Sequence, residues 1–432
     1  MNNKIFIFEF VSGGGFNNTI IPTSLFCEGF GMLRSITADF KLLDFEIYTT
    51  LDYRISFLSK FIKADHILNV RKNENSLKTF KDCVMKCKYV FIIAPETLNI
   101  LYNLTEIVKK SGKIILSTNL RGIKYGSSKI ISHNIFNNVK ISTPKTYRIP
   151  FKEQTLDLDF IIHKFRELKC PIVIKPEDGV GAESINYFEN ESQILNFYIN
   201  FEQKLEKKRN YIIQQFISGS NLSMSIIGSP NLFVNPLILS INSQNINITD
   251  KTPEYLGGYT PLENYKDIIN QLTNTIEKLK NLNIEGYFGI DFIEDNNKLF
   301  TFIEINPRLT TSYIGLRNIL NFNCAELIFN SRIKNISKFE IDLKYYSYFT
   351  RIDFYYNFVE NMEFCKEKII PKLIKLIPEF VTPPISFNDN KYSCFVATKT
   401  TDLASSKIKL NEIIKSLEKF NFNIVKPKKP IL

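Results

Sequence analysis

The richest chemistry in this sequence lies in two neighbouring segments, Gly289-Ile290-Asp291-Phe292 and Phe302-Ile303-Glu304-Ile305-Asn306-Pro307-Arg308. Both read as strands around the turn Asp295-Asn296-Asn297, so the spacing predicts a hairpin with Asp291 and Glu304 on adjacent strands. Asn306 lies two residues beyond Glu304, and a pleated strand turns side chains at that interval to the same face. Three hard oxygen donors then converge. Such a set suits Mg²⁺ (or Mn²⁺), which prefers oxygen and shares its shell with phosphate oxygens. Arg308 keeps the same parity if the strand continues past Pro307, and its guanidinium would steady a phosphate or a developing oxyanion. The plain alternative is an edge hairpin with solvated acidic residues.

Two upstream stretches add to this. Val173-Ile174-Lys175-Pro176 leads into Asp178-Gly179-Val180-Gly181. A lysine at a strand end followed by a glycine-bearing loop can hold phosphates, because glycines let backbone amides approach closely. It is not a Walker A loop, since no Lys-Ser/Thr follows the glycines. Tyr211-Ile212-Ile213-Gln214-Gln215-Phe216-Ile217 is an apolar strand carrying an amide, suited to flank a purine. Read singly, each of these is matched by an ordinary strand–turn pair or core strand.

The elements that must position these residues fall into three parts. The first alternates strands (4–10, 89–94, 113–117) with helices (28–40, 96–110), which implies a parallel sheet covered on both faces. From about residue 128 the pattern changes. A short helix (128–136), a strand (144–148), a helix (160–168) and the lysine strand (171–175) precede a charged helix (191–206). Strands at 211–217 and 222–228, a long amphipathic helix (265–279) and the carboxylate hairpin follow. A final stretch from about 339 has strands near 345–354 and 392–398 and helices near 365–376 and 407–419, and reads as a small α+β appendage.

Taken in order, the lysine strand, glycine loop, adenine-like strand, carboxylate hairpin and Asn-Pro-Arg closely resemble the ATP-grasp superfamily. The resemblance covers residues 128–332, about half the chain, and implies an α/β ATP-grasp fold: an N-terminal parallel α/β, Rossmann-like pre-ATP-grasp domain (1–125), the ATP-grasp domain (126–338) and a small C-terminal α+β segment (339–432). Carried over residue by residue, Lys129 and Lys175 resemble the two phosphate-contacting lysines. Gly179 and Gly181 fall in the loop that closes over the phosphates. Gln214 matches the side chain that faces the adenine amino group, and Phe216 and Ile217 match the backbone that pairs with adenine. Asn221 stands where many members carry a ribose-binding glutamate, a departure from the pattern. Asp291, Glu304 and Asn306 match the metal ligands, and Arg308 the arginine near the transferred phosphate; Lys175 and Arg308 are the catalytic pair. The resemblance implies ATP- and Mg²⁺-dependent joining of a small-molecule carboxylate to an amine through an acyl phosphate. Phe8-Glu9-Phe10-Val11-Ser12-Gly13-Gly14-Gly15 and the run from Glu304 to Tyr313 are similar to the archaeal tyramine–glutamate ligases of methanofuran biosynthesis, which join the glutamate γ-carboxylate to the amine of tyramine. By that likeness the glycine run is a phosphate or substrate turn; a tight turn without ligand is the alternative. Thr310, Thr311 and Ser312 either hold a substrate carboxylate or cap the next helix. A ligase for another pair, or a nucleotide-binding protein that lost catalysis, are the rival readings.

Composition agrees with a folded enzyme. The chain has 432 residues, 44% hydrophobic and 23% charged, enough for two or three domains. The net charge of +11 comes with 44 acidic residues and only short basic clusters (Lys204, Lys208 and Arg209; Lys426, Lys428 and Lys429), so a nucleic-acid partner is not expected. Seven cysteines in a long chain imply free thiols rather than a disulfide scaffold, and Cys83/Cys87 have no second pair at zinc spacing. No signal peptide and no long apolar run is read, so a cytoplasmic enzyme without membrane contact is expected. A homo-oligomer is compatible with the sequence.

Overall fold

The structure, a computed structural model, describes residues 3–152, 155–179, 185–201, 209–230, 235–248, 253–333, 341–356, 368–387, 391–420 and 422–425. Gly181 and Lys204, Lys208, Lys426, Lys428 and Lys429 lie outside them.

The first part alternates β1 (Lys4–Glu9), α1 (Thr23–Lys41), β2 (Glu46–Asp52), β3 (His66–Val70), α2 (Ser76–Lys86), β4 (Tyr89–Ile93), α3 (Ile100–Lys110) and β5 (Ile114–Ile115). The strands form one parallel sheet in the order β3-β2-β1-β4-β5. β1 and β4 are apolar and buried almost throughout, as parallel strands with both faces covered must be. The unread β2 and β3 carry Thr49, Thr50, Asp52, His66 and Asn69, which break the apolar signal. The strand order reverses between β1 and β4. In open α/β sheets that reversal opens a ligand crevice at the carboxyl ends of the strands.

The glycine run beyond β1 coils into a short wide turn, Val11–Gly15. Packing accounts for its glycines. A Cβ on Gly13 would lie 2.7 Å from the Phe8 ring, and Gly14, at φ +98°, faces Val70 at the same distance. The Glu9 carboxylate accepts the N–H groups of Val11 (2.9 Å) and Ser12 (2.7 Å), so these donors already hold an anion from the chain itself. The structure therefore favours the tight turn over a phosphate-binding one.

The middle part opens with α4 (Leu120–Gly126) and α5 (Lys129–Asn138). β6 (Thr146–Arg148), a small hairpin of β7 (Phe151–Lys152) and β8 (Thr155–Leu156), α6 (Leu158–Leu168), β9 (Ile172–Pro176), β10 (Asn186–Phe188), α7 (Glu191–Phe201) and β11 (Tyr211–Gln215) follow. β10-β9-β11-β6 make one antiparallel sheet. β12 (Ser220–Gly228), β13 (Leu237–Ser243), β14 (Asn245–Ile248), β15 (Pro253–Thr260), α8 (Tyr265–Glu277), β16 (Gly286–Glu294) and β17 (Phe300–Asn306) complete it, with β13-β12-β16-β17 as a second antiparallel sheet.

The last part holds α9 (Tyr313–Ile319), α10 (Cys324–Ile333), β18 (Ser347–Tyr356), α11 (Ile370–Leu376), β19 (Phe380–Ile385), β20 (Lys391–Ala397), α12 (Leu403–Glu418) and β21 (Phe422–Ile424). It is α+β, but it is not an appendage. β18 pairs with β15, from Gly257↔Thr350 to Thr260↔Ser347, and with β20 beyond it. The Arg34 guanidinium of α1 donates to the carbonyls of Phe380 (2.7 Å) and Val381 (3.0 Å), and Thr382 Oγ1 donates to the Cys27 carbonyl (2.6 Å). One apolar core runs from Phe26 and Phe30 through Ile314 to Phe349 and Phe395. The sequence hid this because β14 and β15 read Asn-Ile-Asn-Ile and Pro-Glu-Tyr-Leu-Gly-Gly-Tyr-Thr, without a continuous apolar face.

Among the described residues no helix is long and apolar enough to cross a membrane. Cys27, Cys83, Cys87, Cys170, Cys324 and Cys394 are free thiols, and Cys365 lies outside the described residues. Burial pushes the Cys83 and Cys87 thiols up to about 11 and about 12, the opposite of what a metal-binding thiolate needs.

Candidate active site

The hairpin forms in the expected register. β16 and β17 pair antiparallel with Asp291 opposite Glu304 and Gly289 opposite Asn306. A register shift follows Asp291, between it and Phe292. Asp291 is further held by Gln244, whose Nε2 donates to Oδ1 at 3.1 Å, and by the Asn306 side chain. Burial and the facing Glu304 carboxylate raise the Asp291 pKa well above the ordinary carboxylate range. Burial acts on Glu304 in the same sense, but Lys129 and Lys175 more than offset it and hold Glu304 below its ordinary value. Two half-buried carboxylates facing each other across the hairpin leave a repulsion that a divalent cation relieves. The donors are all oxygen, which fits Mg²⁺. Among the described residues no cluster of three or more His, Cys, Asp or Glu is present. The protein would therefore supply two carboxylates and an amide, leaving coordination positions for phosphate oxygens.

Both lysines reach this group. Lys129 is the first residue of α5, whose N-cap Ser128 accepts the Ile131 N–H. Its Nζ lies 3.1 Å from Glu304 Oε2 and donates to the Gly179 carbonyl at 3.3 Å. Lys175, on β9, is buried. Desolvation lowers its pKa to about 8, with Glu304 and Asp291 opposing and Lys129 adding to the shift. Glu177 ties the two lysine-bearing elements together. Its carbonyl accepts the Lys129 N–H (2.9 Å), while its carboxylate takes the Ser128 hydroxyl (2.5 Å) and both nitrogens of the Arg148 fork (2.7 Å each). Two residues later Gly179, at φ +125°, packs under Arg209, which pairs with Asp178 at 2.9 Å. Asp178 also accepts the Leu98 N–H (2.8 Å), so the start of this loop is anchored to the parallel-sheet part.

One cavity of about 240 Å³ collects most of the expected residues. Val173, Phe216, Ile217 and Ile293 give it apolar walls, and Lys175, Asp291, Glu304 and Asn306 give it a charged floor. Gln214, Asn221 and Arg308 line it as well. Lys129 and Gly179 do not; they sit behind Glu304 as described. The Gln214 amide donates to Thr146 Oγ1 (2.8 Å), and the Phe216 N–H donates to the Pro171 carbonyl (3.0 Å). That leaves the Gln214 side-chain oxygen, the Phe216 carbonyl and the Ile217 backbone as the groups of this segment to meet a purine edge.

Arg308 is half-buried, and its Nε contacts both Glu96 oxygens at 3.1 and 3.3 Å. Glu96 lies just past β4, so the guanidinium reaches into the crevice at the sheet's reversal point. Burial nonetheless leaves Glu96 above its usual value, with Arg308 opposing. Gly126 closes α4 against the same turn: a Cβ there would meet Pro307 at 2.5 Å and the Ile305 carbonyl at 2.7 Å. Sequence reasoning missed Glu28, Glu96 and Glu177. Glu28 and Thr311 both line the cavity, and Thr311 Oγ1 donates to Glu28 Oε2 at 2.7 Å. Glu177 follows Lys175-Pro176 directly and was within reach of a motif reading. Glu28 and Glu96 are brought in only by tertiary folding. Thr310 and Ser312 line the cavity as well, and they share a network with Tyr287 and Ser225 (2.8–3.2 Å) that braces the turn before α9.

Comparison with known proteins gives the family and the fold. Residues 127–312 match the ATP-grasp domain, and residues 45–123 the pre ATP-grasp 3 domain. The chain is 28% identical to the tyramine–L-glutamate ligase of Methanocaldococcus jannaschii over 346 residues, covering 79% of this chain and 91% of that one. It is 30% identical to the enzyme of the same name from Methanocaldococcus fervens over 261 residues, covering 60% and 69%. Among solved structures, an ATP-grasp superfamily protein from Archaeoglobus fulgidus superposes with a TM-score of 0.60 at 19% identity, covering 91% and 99%. The MgADP-bound biotin carboxylase domain of the Hydrogenobacter thermophilus 2-oxoglutarate carboxylase superposes with a TM-score of 0.70 at 11% identity, covering 99% and 91%. The chain belongs to the ATP-grasp family, as an ATP- and Mg²⁺-dependent ligase.

Proposed function

We propose that this protein joins the γ-carboxylate of glutamate to the amine of tyramine, with an acyl phosphate as intermediate. The observation that carries the reading is the meeting of Lys175 with Asp291, Glu304 and Asn306 in one cavity with apolar walls. The substrate pair rests on the likeness to the two Methanocaldococcus ligases. Phe216, Ile217 and Val173 hold the purine, with the Gln214 amide turned toward its amino group and Asn221 toward the ribose. Lys175 and Lys129 neutralise phosphate oxygens, and the Gly179–Gly181 loop excludes water from the reactive intermediate. Asp291, Glu304 and Asn306 hold the divalent ion, which offsets charge on the transferred phosphoryl group. Arg308, oriented by Glu96, stabilises charge developing on the donor carboxylate and the leaving phosphate. The donor carboxylate attacks the γ-phosphorus and ADP leaves; the amine then attacks the acyl carbon and phosphate leaves. The same reading divides the chain into a pre-ATP-grasp unit (1–125), an ATP-grasp unit (126–338) and a C-terminal segment (339–432).

The test supplies purified protein with ATP, Mg²⁺, glutamate and a panel of amines that includes tyramine, and identifies products by mass spectrometry. ADP release that requires both co-substrates, with γ-glutamyltyramine as the product, is expected. A different amide would replace the substrate pair, and ATP turnover indifferent to any carboxylate would remove the ligase reading.

A further inference from the structure

Two tyrosines behind the cavity have satisfied hydroxyls. Tyr287 Oη donates to Ser225 Oγ at 2.9 Å and meets Thr310 Oγ1 at 3.0 Å, and Tyr313 Oη donates to Asp39 Oδ2 at 2.7 Å. Tyr255 lines the cavity itself, and among the described residues its hydroxyl has no hydrogen-bond partner. A tyrosine hydroxyl drawn out of bulk water ordinarily finds a partner, because leaving the donor unmet is costly. The place of Tyr255 is built. It lies on β15, where the pairing with β14 jumps from Asn245↔Gly257 to Ile246↔Tyr255. The jump leaves Leu256 as an extra residue, a bulge of the kind that re-aims a side chain, and Tyr255 borders this cavity while Leu256 borders a second one beside it. The Tyr255 carbonyl accepts from Arg351 Nη1 at 3.4 Å, and Asp353 holds that guanidinium at 3.0 Å. The ring packs against the apolar core that holds Ile314 and Phe349. The phenol oxygen lies in the electrostatic field of Glu28, Asp291 and Arg308, near both the metal group and the arginine.

On the ligase reading, Lys129, Lys175 and the divalent ion take the phosphate oxygens, and Arg308 takes the donor carboxyl group. A phenol hydroxyl beside that guanidinium adds a neutral donor. We propose that the Tyr255 hydroxyl donates a hydrogen bond to the reacting carboxyl group of the donor substrate, at the oxygen that remains as the carbonyl of the acyl phosphate. The inference rests on the ligase reading above. The free-base amine forms the C–N bond with its nitrogen lone pair while the carbonyl π pair moves onto that oxygen. The pair returns as the C–O bond to phosphate breaks, and the proton shed by the amine leaves on the phosphate. The hydrogen bond tightens as charge grows on the oxygen, and the phenol keeps its own proton throughout. Burial, with Glu28 and Asp291 acting in the same sense and Arg308 against them, holds Tyr255 well above the ordinary tyrosine range, so its hydroxyl remains a donor at working pH.

The test is Tyr255→Phe, which removes the hydroxyl and keeps the ring. Glutamate and tyramine serve as substrates, or the pair that turns over in their stead, and amide and ADP are both measured. The expected result is a fall in kcat/KM for the donor by about 10- to 100-fold, the size of one hydrogen bond to a charged group, with KM for ATP and Tm at wild-type values. An unchanged kcat/KM for the donor in the folded variant overturns the proposal. A rise in KM for ATP with no effect on the donor also overturns it, by placing the hydroxyl on the phosphates. An equal loss for both substrates with a lowered Tm marks a packing role and overturns it as well. Should Tyr255→Phe fail to fold, replacing Tyr255 by 3-fluorotyrosine keeps ring and hydroxyl and makes a stronger hydrogen-bond donor. There kcat/KM for the donor rises while KM for ATP holds, and an unchanged value overturns the assignment equally. A wild-type enzyme that forms no amide from any carboxylate and amine offered removes the ligase reading and this inference with it. A ligating wild type matched by Tyr255→Phe removes only the role of Tyr255.

Discussion

Replacing Glu304 by glutamine tests the metal group and the charge balance around it together. Glu304 lies 3.1 Å from Lys129 and in the field of Lys175. Deleting one partner of a buried pair ordinarily costs about 3–5 kcal/mol, because the remaining charge is left uncompensated. Here Asp291 stands directly opposite. Its raised pKa comes first from burial and second from the Glu304 charge. Once Glu304 is neutral the second cause vanishes, and Asp291 ionises in its place. The expected loss of folding stability is therefore reduced to about 1–2 kcal/mol. The double variant Asp291→Asn/Glu304→Gln has no carboxylate left opposite the lysines and should lose the full ~3–5 kcal/mol, more than the sum of the single changes. Activity should respond differently: with one metal-bearing carboxylate gone, amine-dependent ADP release falls by a factor on the order of a thousand in Glu304→Gln alone. Urea unfolding in metal-free buffer and ADP release against Mg²⁺ concentration measure the two effects. A Glu304→Gln enzyme with wild-type turnover and Mg²⁺ dependence would refute the metal assignment. Additive stability losses would refute the transfer of charge to Asp291.

Two further outcomes follow from the lysines. Lys175, lowered to about 8 by desolvation, is cationic below that pH and neutral above it, so phosphate binding weakens as pH rises through 8. The expected profile of kcat/KM for ATP is flat below pH 8 and falls by about tenfold per unit above it, and a profile level to pH 10 would show that Lys175 does not meet the nucleotide. Glu177→Ala removes the carboxylate that takes the Ser128 hydroxyl and the Arg148 fork. With Arg148 about half exposed and its share correspondingly small, the expected stability loss is about 1–2 kcal/mol, accompanied by a higher KM for ATP as Lys129 loosens; an unchanged KM would leave Glu177 with a purely structural role.

Much of the chemistry was legible because it obeys local rules. Strand parity alone puts Asp291, Glu304 and Asn306 on one face, and β16–β17 realises that parity. Lys175 was visible as a polar end to an apolar strand, and the short helix carrying Lys129 was read at 128–136, close to the observed α5. What local pattern cannot carry is the meeting of distant segments. Glu28 and Thr311 are far apart along the chain and touch only because α1 packs against the turn before α9. Glu96 gave no signal of its own beyond an acidic residue after a buried strand. The glycine run was open in sequence between a ligand turn and a tight turn, and the deciding residue is Glu9, two to three residues upstream, which takes the Val11 and Ser12 donors while neighbouring side chains fill the space. The C-terminal strands were read correctly as strands, but their partner β15 was not, since Gly257, Gly258 and Glu254 mask its periodicity.

That shared sheet has a practical meaning for anyone cutting the chain. Ending it at residue 338 would strip β18 from β15 and leave a raw row of unpaired backbone amides and carbonyls, a template for pairing between molecules. It would also uncover the face of α1 now roofed by β19 and β20, the same helix that carries Glu28. A shortened protein would therefore stick to itself, and the far terminus holds the catalytic cleft in shape from outside it.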